Sequence, residues 1–167
     1  MKVALIGAGS ISSRHITMMK EIGEYQVIAI ADPVFSLAKE LAEPCGAKAY
    51  ESIDNLLEDC QPELVDICSP AYLHYEHTLK CLSAGLNVFC EKPMTHTTEE
   101  ADELIALAKE KGVFYMVGHV LRFWPEYEFL KKMIYKQPYG RLRYALFNRQ
   151  YGTHRPGSWY MDPEKCK

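Results

Sequence analysis

The sequence predicts an α/β fold, a doubly wound parallel sheet followed by the start of an α+β second domain. Three observations carry that expectation. Strand-like and helix-like segments alternate from residue 2 to about 119 in units of 20–30 residues, the pattern of parallel strands joined by crossover helices. The first unit opens on glycines at positions 7 and 9, between strand and helix. Beyond residue 120 the composition changes. Residues 1–120 carry 9 basic against 18 acidic side chains, residues 121–167 carry 10 against 4, and 13 of the 19 aromatics fall at or after Phe114. The expected division is one domain over 1–120, then a linking helix and the incomplete first part of a second domain over 121–167.

Each element follows from local chemistry. Val3–Ile6 is a continuous apolar run, as in a strand buried on both faces. It breaks at Gly7-Ala8-Gly9, and a helix over Ser10–Ile22 is stopped by Gly23. Tyr25–Ala31 is the second buried strand and ends at Asp32-Pro33. A helix over about Val34–Glu43 leads to a short strand at Lys48–Tyr50, and Ser52 caps a helix to about Asp59. Leu64–Cys68 is strand-like and ends at Ser69-Pro70; the helix after it runs to Ala84 and stops at Gly85. Asn87–Cys90 is the fifth strand. Thr97 and Glu100 have capping-box spacing for a helix to Lys111, ended by Gly112, and Val113–Gly118 is the sixth strand. Pro125 opens a helix to about Lys136. After a Gln137–Gly140 turn, the partial alternation of Arg141–Tyr151 predicts a strand in a new sheet.

Bulk composition excludes several classes. With 48% apolar and 25% charged residues the chain is neither disordered nor fibrous. No apolar run approaches the roughly 20 residues of a membrane helix, and the N-terminus lacks the layout of a secretory signal. The six cysteines form no C-x-x-C pair and no zinc-finger spacing, so a reduced cytoplasmic protein is expected. A net charge of −3 gives no reason to invoke nucleic acid, and the basic tail is spread among aromatics, as in a solvated or subunit-interface surface.

The glycine loop is the first site signal. Gly7 permits a tight turn, Gly9 removes a side chain where a pyrophosphate would approach, and the N–H groups of Ser10 and Ile11 open the helix. Ser12 stands where a third glycine is usual and is small enough for close helix–strand packing. Asp32 ends the second strand, 23 residues after Gly9, where an acidic side chain accepts hydrogen bonds from ribose hydroxyls. Its charge would repel a 2′-phosphate, and Pro33, Val34 and Phe35 offer no cation in compensation. A Rossmann domain binding NAD, with NADP disfavoured, is the expectation. Glu91-Lys92-Pro93 directly follows the fifth strand. Ligands gather at the carboxyl ends of such strands, so Lys92 is the candidate to hydrogen-bond a substrate hydroxyl and stabilise its alkoxide.

Taken in order, Gly7-Ala-Gly9-x-Ile11, Asp32-Pro33, Ser69-Pro70 with His74, Ala84-Gly85-x-Asn87-Val88-x-x-Glu91-Lys92-Pro93, Gly118-His119-x-x-Arg122-Phe123-x-Pro125 and Trp159-Tyr-Met-Asp162-Pro163 resemble one family. It is the glucose–fructose oxidoreductase, inositol dehydrogenase and rhizopine-catabolism (Gfo/Idh/MocA) family of NAD(P)-dependent oxidoreductases. The resemblance implies cofactor contacts at Gly7, Gly9, Ser10, Ile11, Asp32, Ser69, Pro70, His74, Glu91 and Lys92. Lys92 would be catalytic, with His119, Arg122 and Trp124 near the substrate. It also implies hydride transfer from a secondary alcohol of a sugar, polyol or cyclitol to NAD, in a homo-oligomer assembled through the second domain. Two alternatives share the same N-terminal half: an NAD-dependent glycoside-bond hydrolase, and a non-catalytic nucleotide-binding fragment. Two departures stand out. Ala71 follows the Ser-Pro pair where the family often has Asn, and the family's catalytic Asp and His come after a glycine-rich stretch that is not found before Lys167. A severed second domain is therefore expected.

The remaining histidines have plainer readings. His15 is read as packing or surface on the first helix. His74 and His77 share a helix face but lack a third ligand, so no metal is expected. His119 ends the sixth strand near the crevice, while His96 and His154 are read as solvated. Phe123, Trp124 and Tyr160 are read as packing or interface residues in preference to a sugar-stacking platform.

Overall fold

The computed structural model describes residues 1–148, 150, 152, 159–163 and 165. The elements are β1 (Lys2–Ile6), α1 (Ser10–Ile22), β2 (Gln26–Ala31), α2 (Phe35–Ala42), β3 (Lys48–Tyr50), α3 (Ile53–Asp59), β4 (Leu64–Ile67), α4 (His74–Ser83), β5 (Asn87–Cys90), α5 (Thr98–Lys111), β6 (Tyr115–Val117) and α6 (Pro125–Lys136). The six strands form one sheet in the order β3-β2-β1-β4-β5-β6, every pairing parallel. This is the doubly wound arrangement the sequence predicts. Strand order reverses between β1 and β4, which opens a crevice at their carboxyl ends.

Strand alternation divides the core between the two faces. Val3, Leu5, Val27 and Ile30 pack with Ile16 of α1 and Ala38 and Ala42 of α2. Ala4, Ile6, Ala29, Ala31, Val65, Ile67 and Val88 pack with Ile53 and Leu56 of α3, Cys81 and Leu82 of α4, and Leu104 and Ala108 of α5. The helix punctuation is as read. Ser52 accepts the Asn55 N–H, and the Thr97–Glu100 capping box is closed in both directions. Gly23, Gly85 and Gly112 take positive φ after α1, α4 and α5. Strand ends are trimmed, most at β6, which keeps three residues of the six expected.

One expectation fails. Residues 142–148 are not a strand. A strand's N–H and C=O groups need a neighbouring ladder, and among the described residues no strand lies beside this segment. Its Leu142, Tyr144, Leu146 and Phe147 are exposed. Tyr151 and His154 lie outside the described residues, as does the side chain of Tyr160. Among the described residues no helix is long and apolar enough to cross a membrane.

Candidate functional site

The glycine loop leaves β1 and runs hard against the end of β4. Gly7 has φ +96°, and a Cβ there would lie 2.9 Å from the Cys68 carbonyl carbon and oxygen and from the Ser69 nitrogen. Only glycine satisfies both the dihedral and the space. Gly9 is the N-cap of α1, and a Cβ on it would meet nothing within 4 Å. No side chain caps α1 and no acidic residue lies in its first turn. The first-turn N–H groups, those of Ser10 and Ile11 among them, have no intrahelical partners and lie at the positive end of the helix dipole, beside the open space around Gly9. This geometry fits a pyrophosphate. Ser12 fills the third-glycine position without strain: it is fully buried, and its hydroxyl donates to the Gly7 carbonyl at 2.7 Å.

Asp32 stands at the end of β2. One carboxylate oxygen accepts the Ala8 N–H at 2.7 Å and the other accepts the Val34 N–H at 2.8 Å. The carboxylate is thereby fixed in orientation beside the glycine loop, with lone pairs left for a further donor. Among the described residues no lysine or arginine pairs with it.

Two turns form the opposite wall. Ser69 and Pro70 follow β4 and are half-buried; Glu91, half-buried, and Lys92, exposed, follow β5. His74 joins them. Its ring is buried, with Nδ1 2.6 Å from the Pro93 carbonyl oxygen and Nε2 2.9 Å from that of Ser69. His77 Nδ1 lies 2.9 Å from Ser69 Oγ, and burial holds that ring below the ordinary histidine pKa. The sequence assigns His74 to cofactor contact; in the structure both its ring nitrogens are occupied in tying the two turns together.

His15 is the residue whose place the sequence reading missed. It is not surface or simple packing. Nδ1 lies 2.8 Å from Asp66 Oδ2, Nε2 lies 3.4 Å from Glu91 Oε1, and the ring edge meets Phe89. The Cys68 sulfur is 3.4 Å from both His15 Nδ1 and Asp66 Oδ1. Burial works against a charge on the ring, but the hydrogen bonds to Asp66, Cys68 and Glu91 outweigh it and raise its pKa from 6.5 to about 12. Glu91 is held below its ordinary value: partial burial opposes the charge, and the bonds from His15 and the Lys92 N–H overcome it. Burial pushes the Cys68 thiol up to about 12, so it stays protonated. One signal was available. Asp66 interrupts the apolar run Leu64–Cys68 of a strand covered on both faces, and a buried carboxylate requires a partner.

The remaining candidates are outside this wall. His119, Arg122 and Trp124 lie on a short turn after β6; all three are exposed, and the Trp124 ring neighbours Tyr127 at 6.2 Å. Gly118, at the end of β6, sits so close that a Cβ would be 3.3 Å from Glu91 Oε1 and from the Phe89 ring. A cavity of about 430 Å³ lies elsewhere, between α6 and residues 138–144, away from the glycine loop.

A 3-2-1-4-5-6 parallel sheet with an uncapped glycine-loop helix and an acidic residue ending β2 defines the class of dinucleotide-binding α/β domains. The chain belongs to the Gfo/Idh/MocA oxidoreductase family: the family described as "Oxidoreductase family, NAD-binding Rossmann fold" matches residues 1–119. Among curated relatives, trans-1,2-dihydrobenzene-1,2-diol dehydrogenase of Bos taurus is 34% identical over 167 residues, covering 95% of this chain and 49% of its own length. The 2,7-anhydro-N-acetylneuraminate hydratase of Mediterraneibacter gnavus is 31% identical over 142 residues, 85% of this chain and 37% of its own. Among solved structures, the WlbA dehydrogenase from Bordetella pertussis in complex with NADH and UDP-GlcNAcA superposes with a TM-score of 0.80 at 25% identity. It covers 84% of this chain and 44% of its own. The chain thus spans about half the length, or less, of the relatives it matches.

Proposed function

We propose that the chain is the cofactor-binding part of an NAD-dependent oxidoreductase that oxidises a secondary alcohol of a sugar, polyol or cyclitol. The single observation that supports this is the crevice, with an open glycine loop and the fixed Asp32 carboxylate at the carboxyl ends of β1 and β2; Lys92 follows β5 in the chain. When bound, NAD supplies the hydride acceptor. In this reading Gly7, Gly9, Ser10 and Ile11 receive the pyrophosphate, Asp32 accepts from the adenine-side ribose hydroxyls and disfavours a 2′-phosphate, and Ser69 and Pro70 bound the nicotinamide half. Lys92 donates to the substrate hydroxyl oxygen and stabilises the alkoxide that builds as hydride leaves. His119, Arg122 and Trp124 are substrate-side candidates. A domain boundary near residue 120, a cytoplasmic location and homo-oligomer assembly through the second domain complete the proposal.

The hydratase among the relatives favours a second reading, in which turnover leaves no net NADH although NAD is required. Isothermal calorimetry with NAD and NADP on the 167-residue chain tests what both readings share. NAD binding at least about tenfold tighter than NADP is expected, the discrimination one misplaced charge gives. Absent NAD binding, or a preference for NADP, would sink the assignment. Accumulation of NADH with substrate would then separate dehydrogenase from hydratase or hydrolase.

A further inference from the structure

We propose that His15 is a positioning residue for Lys92: by bridging Asp66 and Glu91 it fixes the turn that carries the lysine. The inference rests on the oxidoreductase reading for what Lys92 does, and on geometry alone for how the turn is held. Three elements meet at this imidazole. α1 supplies the ring, β4 supplies the fully buried Asp66 at 2.8 Å, and the end of β5 supplies Glu91 at 3.4 Å. Glu91 Oε2 in turn accepts the Lys92 backbone N–H at 3.1 Å. From the other side His74 holds the Pro93 carbonyl at 2.6 Å. The residues on both sides of Lys92 are thus anchored by buried or half-buried imidazoles, while Lys92 itself is exposed.

Glu91 is the residue that needs the help. A half-buried carboxylate without a partner would turn toward solvent or toward the Lys92 ammonium, drawing the lysine away from a substrate oxygen. His15 occupies one Glu91 oxygen, and Phe89 and Gly118 wall in the same carboxylate. The His15 ring also hydrogen-bonds the fully buried Asp66, whose other oxygen has the Cys68 thiol at 3.4 Å. His15, Asp66 and Cys68 are close enough together to suggest a metal site. The geometry favours a hydrogen bond instead, because 2.8 Å between Nδ1 and Oδ2 is the span of an N–H···O bond, with a proton between the atoms.

Two measurements on the 167-residue chain test this, and the first requires no variant. Imidazole ¹⁵N shifts of His15 should show both ring nitrogens protonated throughout about pH 6–9, with no titration near the ordinary histidine value. A His15 ring that titrates near 6.5 overturns the proposal, and so does stoichiometric Zn²⁺ binding that abolishes those proton signals. The second is trace acetylation with acetic anhydride, read by mass spectrometry with Lys20 and Lys111 as internal controls. In His15→Gln an uncompensated Glu91 should hold Lys92 as its ammonium form and slow its acetylation about threefold or more, with both controls unchanged. Unchanged Lys92 reactivity, or equal changes at all three lysines, overturns it. Neither measurement requires NAD, so a failure of the cofactor assignment is read separately by calorimetry: NAD affinity should stay within about threefold in His15→Gln, since the hydrogen bonds that hold the glycine loop, Ala8 to Asp32 and Ser12 to Gly7, do not involve His15.

Discussion

The sheet that ends at β6 and the segment that follows it use similar side chains to opposite effect. Leu5, Ile30, Leu56 and Leu82 are fully buried between sheet and helices. Past residue 120, Phe129 is 64% exposed, Tyr135 77% and Tyr144 78%, and α6 buries no residue at all. Apolar content does not by itself make a core. Burial requires a second layer, which the crossover helices give the sheet and which, among the described residues, nothing gives α6. The charge divides the same way, acidic over residues 1–120 and basic beyond.

The largest expected effect lies in the first region. Leu82→Ala should lower the free energy of urea unfolding by about 2–5 kcal/mol, the range for truncating a buried leucine; a loss under ~1 kcal/mol would mean the sheet's core is no better packed than the tail. Next comes the glycine loop. Gly7→Ala places a Cβ 2.9 Å from backbone atoms at φ +96°. It should weaken NAD binding by about a hundredfold in a calorimetric titration, with the chain still folded by circular dichroism.

The His15 network gives a smaller, pH-dependent effect. Its folded pKa is raised above 6.5, so its stabilising contribution is complete below that value and declines as pH climbs toward about 12. Stability measured between about pH 7 and 9 should therefore fall with pH, by up to ~1.4 kcal/mol per pH unit for one proton. His15→Gln should remove that slope; a parallel slope in the variant would assign it to other groups. Glu91 works in the opposite sense, its contribution present above its ordinary carboxylate range and lost on acidification. Smallest of all is Phe129→Ala in the tail, expected to change unfolding free energy by less than ~0.5 kcal/mol. A loss comparable with that of Leu82→Ala would erase the contrast between the two regions.

What was legible in the sequence was local. The apolar runs at Val3–Ile6 and Tyr25–Ala31, the Thr97–Glu100 box and the glycines that end helices depend on neighbours a few residues away. The parallel, doubly wound class followed from the alternation of strands and helices, because crossovers between parallel strands leave few alternatives; the order β3-β2-β1-β4-β5-β6 came from the structure. His15 was illegible for the converse reason. Its partners Asp66 and Glu91 are distant in sequence, and α1's periodicity does not say which strand ends its second turn will meet. Residues 141–148 failed differently. Alternation signals a strand only where a partner strand exists to receive its hydrogen bonds. Local spacing was enough to bring Asp32 beside the Gly7 loop, because loop and strand end belong to one βαβ unit.

The close seat of Gly118 carries a consequence for how such a sequence can drift. A Cβ there would lie 3.3 Å from both Glu91 Oε1 and the Phe89 ring, so one of them would have to give way by a few tenths of an ångström. Any larger residue at 118 presses first on the carboxylate that steadies Lys92, although the two positions lie on different strand ends 27 residues apart. Positions 91 and 118 are therefore free to change only together. An exhaustive substitution library should show them as a linked pair, each narrowing what the other tolerates.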